Sequence, residues 1–302
     1  MCTKLVIVDC DNTFGVPGRP VDDGQTLLYL MGRSDIRILG ITTTFGNGNA
    51  DTVYDATCWL VAHSVQPEIP VYKGSCQDQN KPSEASKFLS KSAATYPGKV
   101  QILAIGSMRN LYQAQSDDHS FFSNLAGISI MGGYRYPLPY KGWNKIPEVN
   151  FSHDPEATLS VLSASCPVTI FDAHICFQAP FGLKELHRLY PIDRSQFHII
   201  QDYLLSNIDS LYEPVDYLWD LLPAVYLSYP ELFHSNHVHL ASTVEDFKTG
   251  TLKISNTVGP EINVPDHITD IDLFYNVLYE AWEKAPLVMN RDAGTGLAKE
   301  RV

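Results

Sequence analysis

Lys4-Leu5-Val6-Ile7-Val8-Asp9-Cys10-Asp11 is a short apolar run that ends in two alternating carboxylates. A short connection later comes Asp22-Asp23-Gly24-Gln25-Thr26-Leu27-Leu28-Tyr29-Leu30-Met31, acidic at its start and apolar afterwards. The first stretch reads as a buried strand and the second as a helix with acidic residues in its first turn. Strand, loop and helix in this order begin an α/β fold. Unpaired buried carboxylates repel one another and resist leaving water. Four of them near one strand end point to a cation, a polar ligand, or solvent exposure.

Further along, the same alternation continues. Ile36, Ile38, Leu39 and Ile41 form a second strand, and Gly46-Asn47-Gly48-Asn49 turns into a helix from Asp51 to about His63. Val100–Ile105, Ile128–Met131 and Val168–Phe171 read as further strands. Asp154-Pro155-Glu156 starts a helix, with Asp as the N-cap and Pro at the first helical position. Strands alternating with helices predict a Rossmann-like, open, mostly parallel sheet with helices on both faces, one α/β domain over residues 1–302. Ligands of such sheets bind beyond the carboxyl ends of the strands. Asp9, Asp11 and the residues after Thr44, Ile105 and Met131 are therefore expected to face one crevice. The last third reads as more helical, with Tyr217–Tyr229 and Ile271–Trp282 the clearest helices. Tyr134–Pro147, rich in Tyr, Pro and Gly, reads as a long loop over the crevice.

The 302 residues, 44% of them hydrophobic, can bury one large core or two modest ones. A net charge of -12 without a basic block argues against a nucleic-acid polymer as partner and favours a cation or a small ligand held through one. The six cysteines show no CxxC spacing, and no apolar run approaches the ~20 residues that cross a bilayer. The start of the chain lacks the pattern of a signal peptide, so a cytoplasmic protein with reduced thiols is expected.

Several local patterns carry competing readings. The four aspartates could supply an all-oxygen site for calcium or magnesium, or Asp22 and Asp23 could simply cap a helix. Asp9-Cys10-Asp11-Asn12-Thr13 also fits the strand-end motif of haloacid-dehalogenase phosphatases, although no distal acidic pair completes it. Gly46-Asn47-Gly48 half-matches a dinucleotide fingerprint and reads better as a plain turn. His234, His237 and His239 lack zinc spacing and read as solvent-exposed loop residues. Gly106-Ser107 lacks the second glycine of a nucleophile elbow. Asp220, after Trp219, sits where a helix N-cap is expected, and beside the other features it is a candidate fifth carboxylate.

Taken in order, these pieces resemble the nucleoside hydrolase family. Asp9, Asp11, Asp22 and Asp23 match the four aspartates of its opening Asp-x-Asp-Pro-Gly-x-Asp-Asp. Gly40–Asn47 is similar to its Gly-Ile-Thr-Thr-x-x-Gly-Asn, and Ile102–Leu111 to its Ile-Leu-Ala-Thr-Gly-Pro-Leu-Thr-Asn-Leu. Met131-Gly132-Gly133, Glu148-Val149-Asn150 with Asp154–Ala157, and Trp219-Asp220 with Ala224-Val225-Tyr226 follow in the family's order. The resemblance implies hydrolysis of the N-glycosidic bond of ribonucleosides, with calcium held by Asp11, Asp23, Asp220 and the backbone carbonyl of Ile105. It implies that Asp22, Asn47, Glu148 and Asn150 grip the ribose hydroxyls and that Met131 lines the sugar pocket. Asn144 would add a further sugar contact, although it stands closer to Glu148 than the family's Asn does. Asp11 would act as general base toward a calcium-activated water. The family is usually dimeric or tetrameric.

Two departures stand out. Asn12–Val21 replaces the family's Pro-Gly-x between the aspartate pairs, so this longer loop must bulge out and still return Asp22 and Asp23. Trp219 stands where many members have His. Indole cannot protonate a leaving base, but it can stack on a purine and favour a base that gains a proton. That points to purine ribonucleosides; the alternative is that Trp219 packs under the helix that follows. A haloacid-dehalogenase-like phosphatase and a non-catalytic nucleoside- or ribose-binding protein remain the other readings.

Overall fold

The computed structural model describes residues 3–76, 81–137, 148–206 and 215–289. Its strands are β1 (Lys4–Cys10), β2 (Ile36–Thr43), β3 (Val71–Lys73), β4 (Val100–Ala104), β5 (Leu125–Met131), β6 (Val168–Phe171), β7 (Pro180–Gly182), β8 (Val215–Tyr217), β9 (His237–Leu240), β10 (Ile254–Ser255) and β11 (Glu261–Asn263). Nine of them form one sheet in the order β10-β9-β11-β6-β5-β4-β1-β2-β3. From β3 to β6 every pairing is parallel, as the strand–helix alternation requires.

β1 lies in the middle and is buried on both faces. Val6, Val8 and Cys10 join the core layer on one side, while Ile7 joins the layer on the other. Helices Asp22–Met31, Leu221–Tyr226 and Ile271–Lys284 cover the first side; Glu84–Thr95, Arg109–Asp117 and Pro155–Leu162 cover the second. Fully burying a side chain such as Ile7 contributes about 1.5–3 kcal/mol. That anchors the strand whose end carries Asp9 and Asp11.

The last third departs from expectation. Tyr217–Tyr229 is not one helix. Val215–Tyr217 is strand β8, paired with β7, and the helix spans Leu221–Tyr226. Tyr217 pairs with Pro180 there, so long-range pairing overrides the local helical pattern at the start of that stretch. Residues after 234 are not mainly helical either: β11 joins β6 in parallel, and β9 runs antiparallel to β11 and β10. His237 and His239 lie on β9 rather than in a loop, with Val238 and Leu240 buried between and beside them. Of the expected Tyr134–Pro147 loop, 138–147 falls outside the described residues, as does Asn144.

Candidate active site

β5, β4, β1 and β2 are neighbours in the sheet, and their carboxyl ends lie side by side. The Ile105 N–H donates to Asp9 O at 2.8 Å and the Thr44 N–H to Cys10 O at 2.8 Å, which draws the strand ends together. Thr44 Oγ1 lies 2.6 Å from Ser107 Oγ across them. Asp9, fully buried, points into this framework. Its Oδ1 accepts from Thr42 Oγ1 at 2.5 Å and Asn110 Nδ2 at 2.8 Å. Asp9 therefore braces the strand ends.

The Asn12–Val21 loop does bring Asp22 and Asp23 back. Thr13 Oγ1 donates to Pro20 O at 2.9 Å and closes the loop at its base. Asn12 accepts from the Phe14 N–H at 3.0 Å and donates to Thr57 Oγ1 at 3.3 Å. Phe14 is fully buried against Gly24, where an added Cβ would lie 2.3 Å from Phe14 Cβ. Arg19 Nη1 donates to Asn47 O at 3.0 Å and ties the loop to the Gly46–Gly48 turn. Val21, not an aspartate, takes the N-cap position of the helix, and no side chain caps it. Asp22 and Asp23 thus stand in the first turn, where the helix dipole favours them, but neither supplies the cap. Asp220 does take the N-cap position of Leu221–Tyr226, yet it too makes no capping hydrogen bond.

These side chains instead face one another. Oxygens of Asp22, Asp23 and Asp220 lie within 4.8 Å of each other. Asp11 adjoins the group: its N–H donates to Asp23 Oδ1 at 3.1 Å, and its Oδ2 accepts the Asn47 N–H at 2.5 Å. Asn47 Nδ2 reaches Asp23 Oδ2 at 3.2 Å. Among the described residues, no donor reaches the buried Oδ1 atoms of Asp11 and Asp22. Gly46 permits the close approach, because a Cβ there would sit 1.9 Å from Asp11 Oδ2.

Burial raises every carboxyl pKa in the group. Asp11 rises to about 7, held back by the Asn47 N–H, and Asp22 rises to about 7, with the charges of Asp216 and Asp11 adding to burial. Burial and then the charges of Asp11 and Asp22 push Asp23 well up; burial and the charges of Asp22, Asp23 and Asp11 do the same to Asp220. At a separation of 4.8 Å, two carboxylates repel by roughly 3 kcal/mol at an effective dielectric of ~20. A cation removes that repulsion, and an all-oxygen donor set suits a hard divalent ion. The residues present therefore fit a metal ion.

Across the crevice, Asn150 Nδ2 donates to Met131 O at 3.1 Å and to Ile105 O at 3.3 Å, so Asn150, Met131 and the Ile105 carbonyl stand together. Glu148 accepts the N–H groups of Asn150 at 2.8 Å and Phe151 at 2.7 Å, while burial lifts its pKa to about 7. Trp219, half-buried, meets Phe177 and Tyr217 with ring centroids 5.4 Å away in each case. His234, the first residue of the candidate histidine cluster, is exposed and lies 3.0 Å from Asp266 rather than with this group.

Comparison with known proteins decides the family. Residues 6–276 match the model of the inosine-uridine preferring nucleoside hydrolases. The chain belongs to this family. Uridine nucleosidase 1 of Arabidopsis thaliana is 29% identical over 214 residues, covering 62% of this chain and 61% of that protein. The chain thus spans about three-fifths of that relative's length. The pyrimidine-specific ribonucleoside hydrolase RihA of Shewanella sp. (strain MR-4) is 19% identical over 74% of this chain and 80% of its own. The purine-preferring ribonucleoside hydrolase from Gardnerella vaginalis superposes with a TM-score of 0.79 at 19% identity, over 93% of this chain and 98% of that one. At such identity the superposition shows a shared nucleoside hydrolase fold. The phosphatase reading, which drew on the opening motif alone, loses its support.

Sequence reasoning missed three site residues. Thr42 and Asn110 hold Asp9, and no spacing signals that. Asp216, whose Oδ1 accepts from Trp219 Nε1 at 3.1 Å, stands just before the stretch read as helix and belongs to none of the motifs quoted above.

Proposed function

We propose that this chain hydrolyses the N-glycosidic bond of ribonucleosides, with preference for purine bases, and releases ribose and free base. The observation that carries the reading is the convergence of Asp22, Asp23 and Asp220 beside Asp11 at the strand ends of a nucleoside hydrolase fold. Cleaving this bond builds positive charge on the ribose ring, and a carboxylate-rich pocket stabilises that charge. Among the described residues no donor reaches Asp11 Oδ1, and we assign it as the oxygen that takes a proton from the attacking water. Asn47 fixes the other oxygen and thereby the orientation of the carboxylate. Asp22, Asn47, Glu148 and Asn150 bind ribose hydroxyls, Met131 lines the sugar face, and Asn144 is assigned as a further sugar contact.

Calcium is the ion we assign, held by Asp11, Asp23, Asp220 and the Ile105 carbonyl, with Asp22 in the same oxygen group. Bound there, it would lower the pKa of a water and orient it. Trp219 is the residue on which we base the purine preference: its indole is half-buried and packs in part against the core, and a face turned to the base would contribute about 1–3 kcal/mol in stacking. The named relatives include both uridine- and purine-preferring enzymes, so the choice of base rests on this residue. No helix among the described residues is long and apolar enough to cross a membrane. We carry a cytoplasmic location and a dimeric or tetrameric assembly as part of the proposal; light scattering of the purified chain tests the assembly.

Incubation with inosine and, separately, uridine tests the function. Reducing sugar should appear faster from inosine, without phosphate in the assay. Faster release from uridine would overturn the purine assignment. Calorimetric binding of inosine with no sugar release would instead identify a non-catalytic nucleoside-binding protein.

A further inference from the structure

We propose that Asp216 is a positioning residue that clamps the Trp219 indole by its Nε1 edge and so sets the plane on which the nucleobase stacks. The inference rests on the reading of Trp219 as the base platform.

Trp219 has a fixed backbone. The N–H of Leu218 donates to Ala179 O at 3.0 Å, and Leu218 is fully buried. On the other side, Asp220 is locked into the carboxylate group, and Cys176 Sγ lies 3.6 Å from Trp219 O. What remains to be set is the rotation of its own side chain, which packs in part against the core. Phe177 and Tyr217 meet the indole edge to face at 61° and 62°. A hydrogen bond to a carboxylate oxygen is directional, and it is stronger when the carboxylate is ionised. Asp216 Oδ1 supplies it at 3.1 Å.

Asp216 is itself held in place. Its Oδ1 also accepts the Tyr217 N–H at 2.8 Å, and its strand β8 is paired to β7, with Asp216 opposite Phe181. Asp216 also lies close enough to Asp22 for its charge to act on that carboxylate. The clamp therefore connects the small β7–β8 ribbon to the mouth of the sugar pocket. In this arrangement the ribbon transmits the position of the indole, and Asp216 need not touch the substrate.

Comparing two substrates across variants tests this. Inosine needs its base held and protonated; p-nitrophenyl riboside leaves without a proton. Asp216→Leu, which matches the carboxylate in bulk and cannot accept from indole, should lower kcat/KM for inosine at least tenfold and change p-nitrophenyl riboside less than twofold. Asp216→Asn keeps an acceptor oxygen and should restore most of the inosine activity. If Asp216→Leu does not fold, Asp216→Ser, too short to reach Nε1, replaces it. The second readout is fluorine NMR of protein carrying 5-fluorotryptophan at its four Trp positions, with the Trp219 signal assigned through Trp219→Phe. That signal should shift or broaden in Asp216→Leu and return in Asp216→Asn. An unchanged signal, or equal loss on both substrates, overturns the clamp. If Trp219→Ala itself weakens both substrates equally, the stacking platform is wrong; if Trp219→Ala is selective and Asp216→Leu is silent, the clamp alone is wrong.

Discussion

Asp11→Asn separates chemistry from folding at this site. The Asn side chain can keep its carbonyl oxygen where Asp11 Oδ2 accepts the Asn47 N–H at 2.5 Å, which leaves the amide nitrogen at the position of Oδ1. An amide nitrogen cannot take a proton from water. A general base is typically worth ~10²–10⁴ in rate, or roughly 3–5 kcal/mol of barrier, so turnover should fall by that factor. Stability should move the other way. Asp22, Asp23 and Asp220 each feel the negative charge of Asp11, and the substitution removes it. In chelator, the variant should therefore melt at or above the wild-type temperature. Nucleoside binding should weaken only modestly, because the ribose-gripping residues remain. Reducing-sugar release from inosine gives the rate, scanning calorimetry the melting temperature, and titration calorimetry the affinity. Turnover within tenfold of wild type would remove Asp11 as the base. A melting temperature several degrees lower would mean that the group was not under electrostatic strain.

Three further outcomes follow from the same geometry. Chelation should abolish turnover and added calcium should restore it; full activity in EDTA, with no metal in the purified protein, would contradict the cation assignment. The ion-free protein should lose stability as pH rises. Burial raises Asp9 from 3.8 to about 7 and Glu148 from 4.5 to about 7, so between those limits the folded state holds protons that the unfolded chain has released. Their stabilisation is complete below pH ~4 and fades through pH ~7, with about 3 kcal/mol at most from Glu148 alone; melts in chelator that are flat from pH 5 to 8 would refute this. Gly46→Ala should inactivate the enzyme with little change in secondary structure, since the new methyl would collide with Asp11 Oδ2. Wild-type kinetics in that variant would show that Asp11 has room to move.

What the sequence revealed depended on range. Asp22–Met31 was legible to the residue because its signals are local: acidic residues in the first turn, then an apolar face. The apolar runs of β1, β4 and β5 were legible because both faces of a parallel sheet are covered. The carboxylate group was visible as a set of motifs, whose order suggested convergence before any distance was known. Tyr217 misled because its structure is set by Pro180, far away in sequence. His237-Val238-His239-Leu240 alternates as a strand should, with Val238 and Leu240 buried, but its partners β10 and β11 are only two and three residues long. The helix Glu84–Thr95 passed unnoticed although Ser83 and Ser86 form a reciprocal capping box at its start.

Diffraction from a crystal soaked in calcium and ribose bears most directly on the site. One strong peak should appear between Asp23 and Asp220, with Asp11 and the Ile105 carbonyl in its coordination shell and ribose hydroxyls completing it. Empty density there, with Asp23 and Asp220 turned apart while ribose is bound, would show that these acidic side chains serve some other purpose.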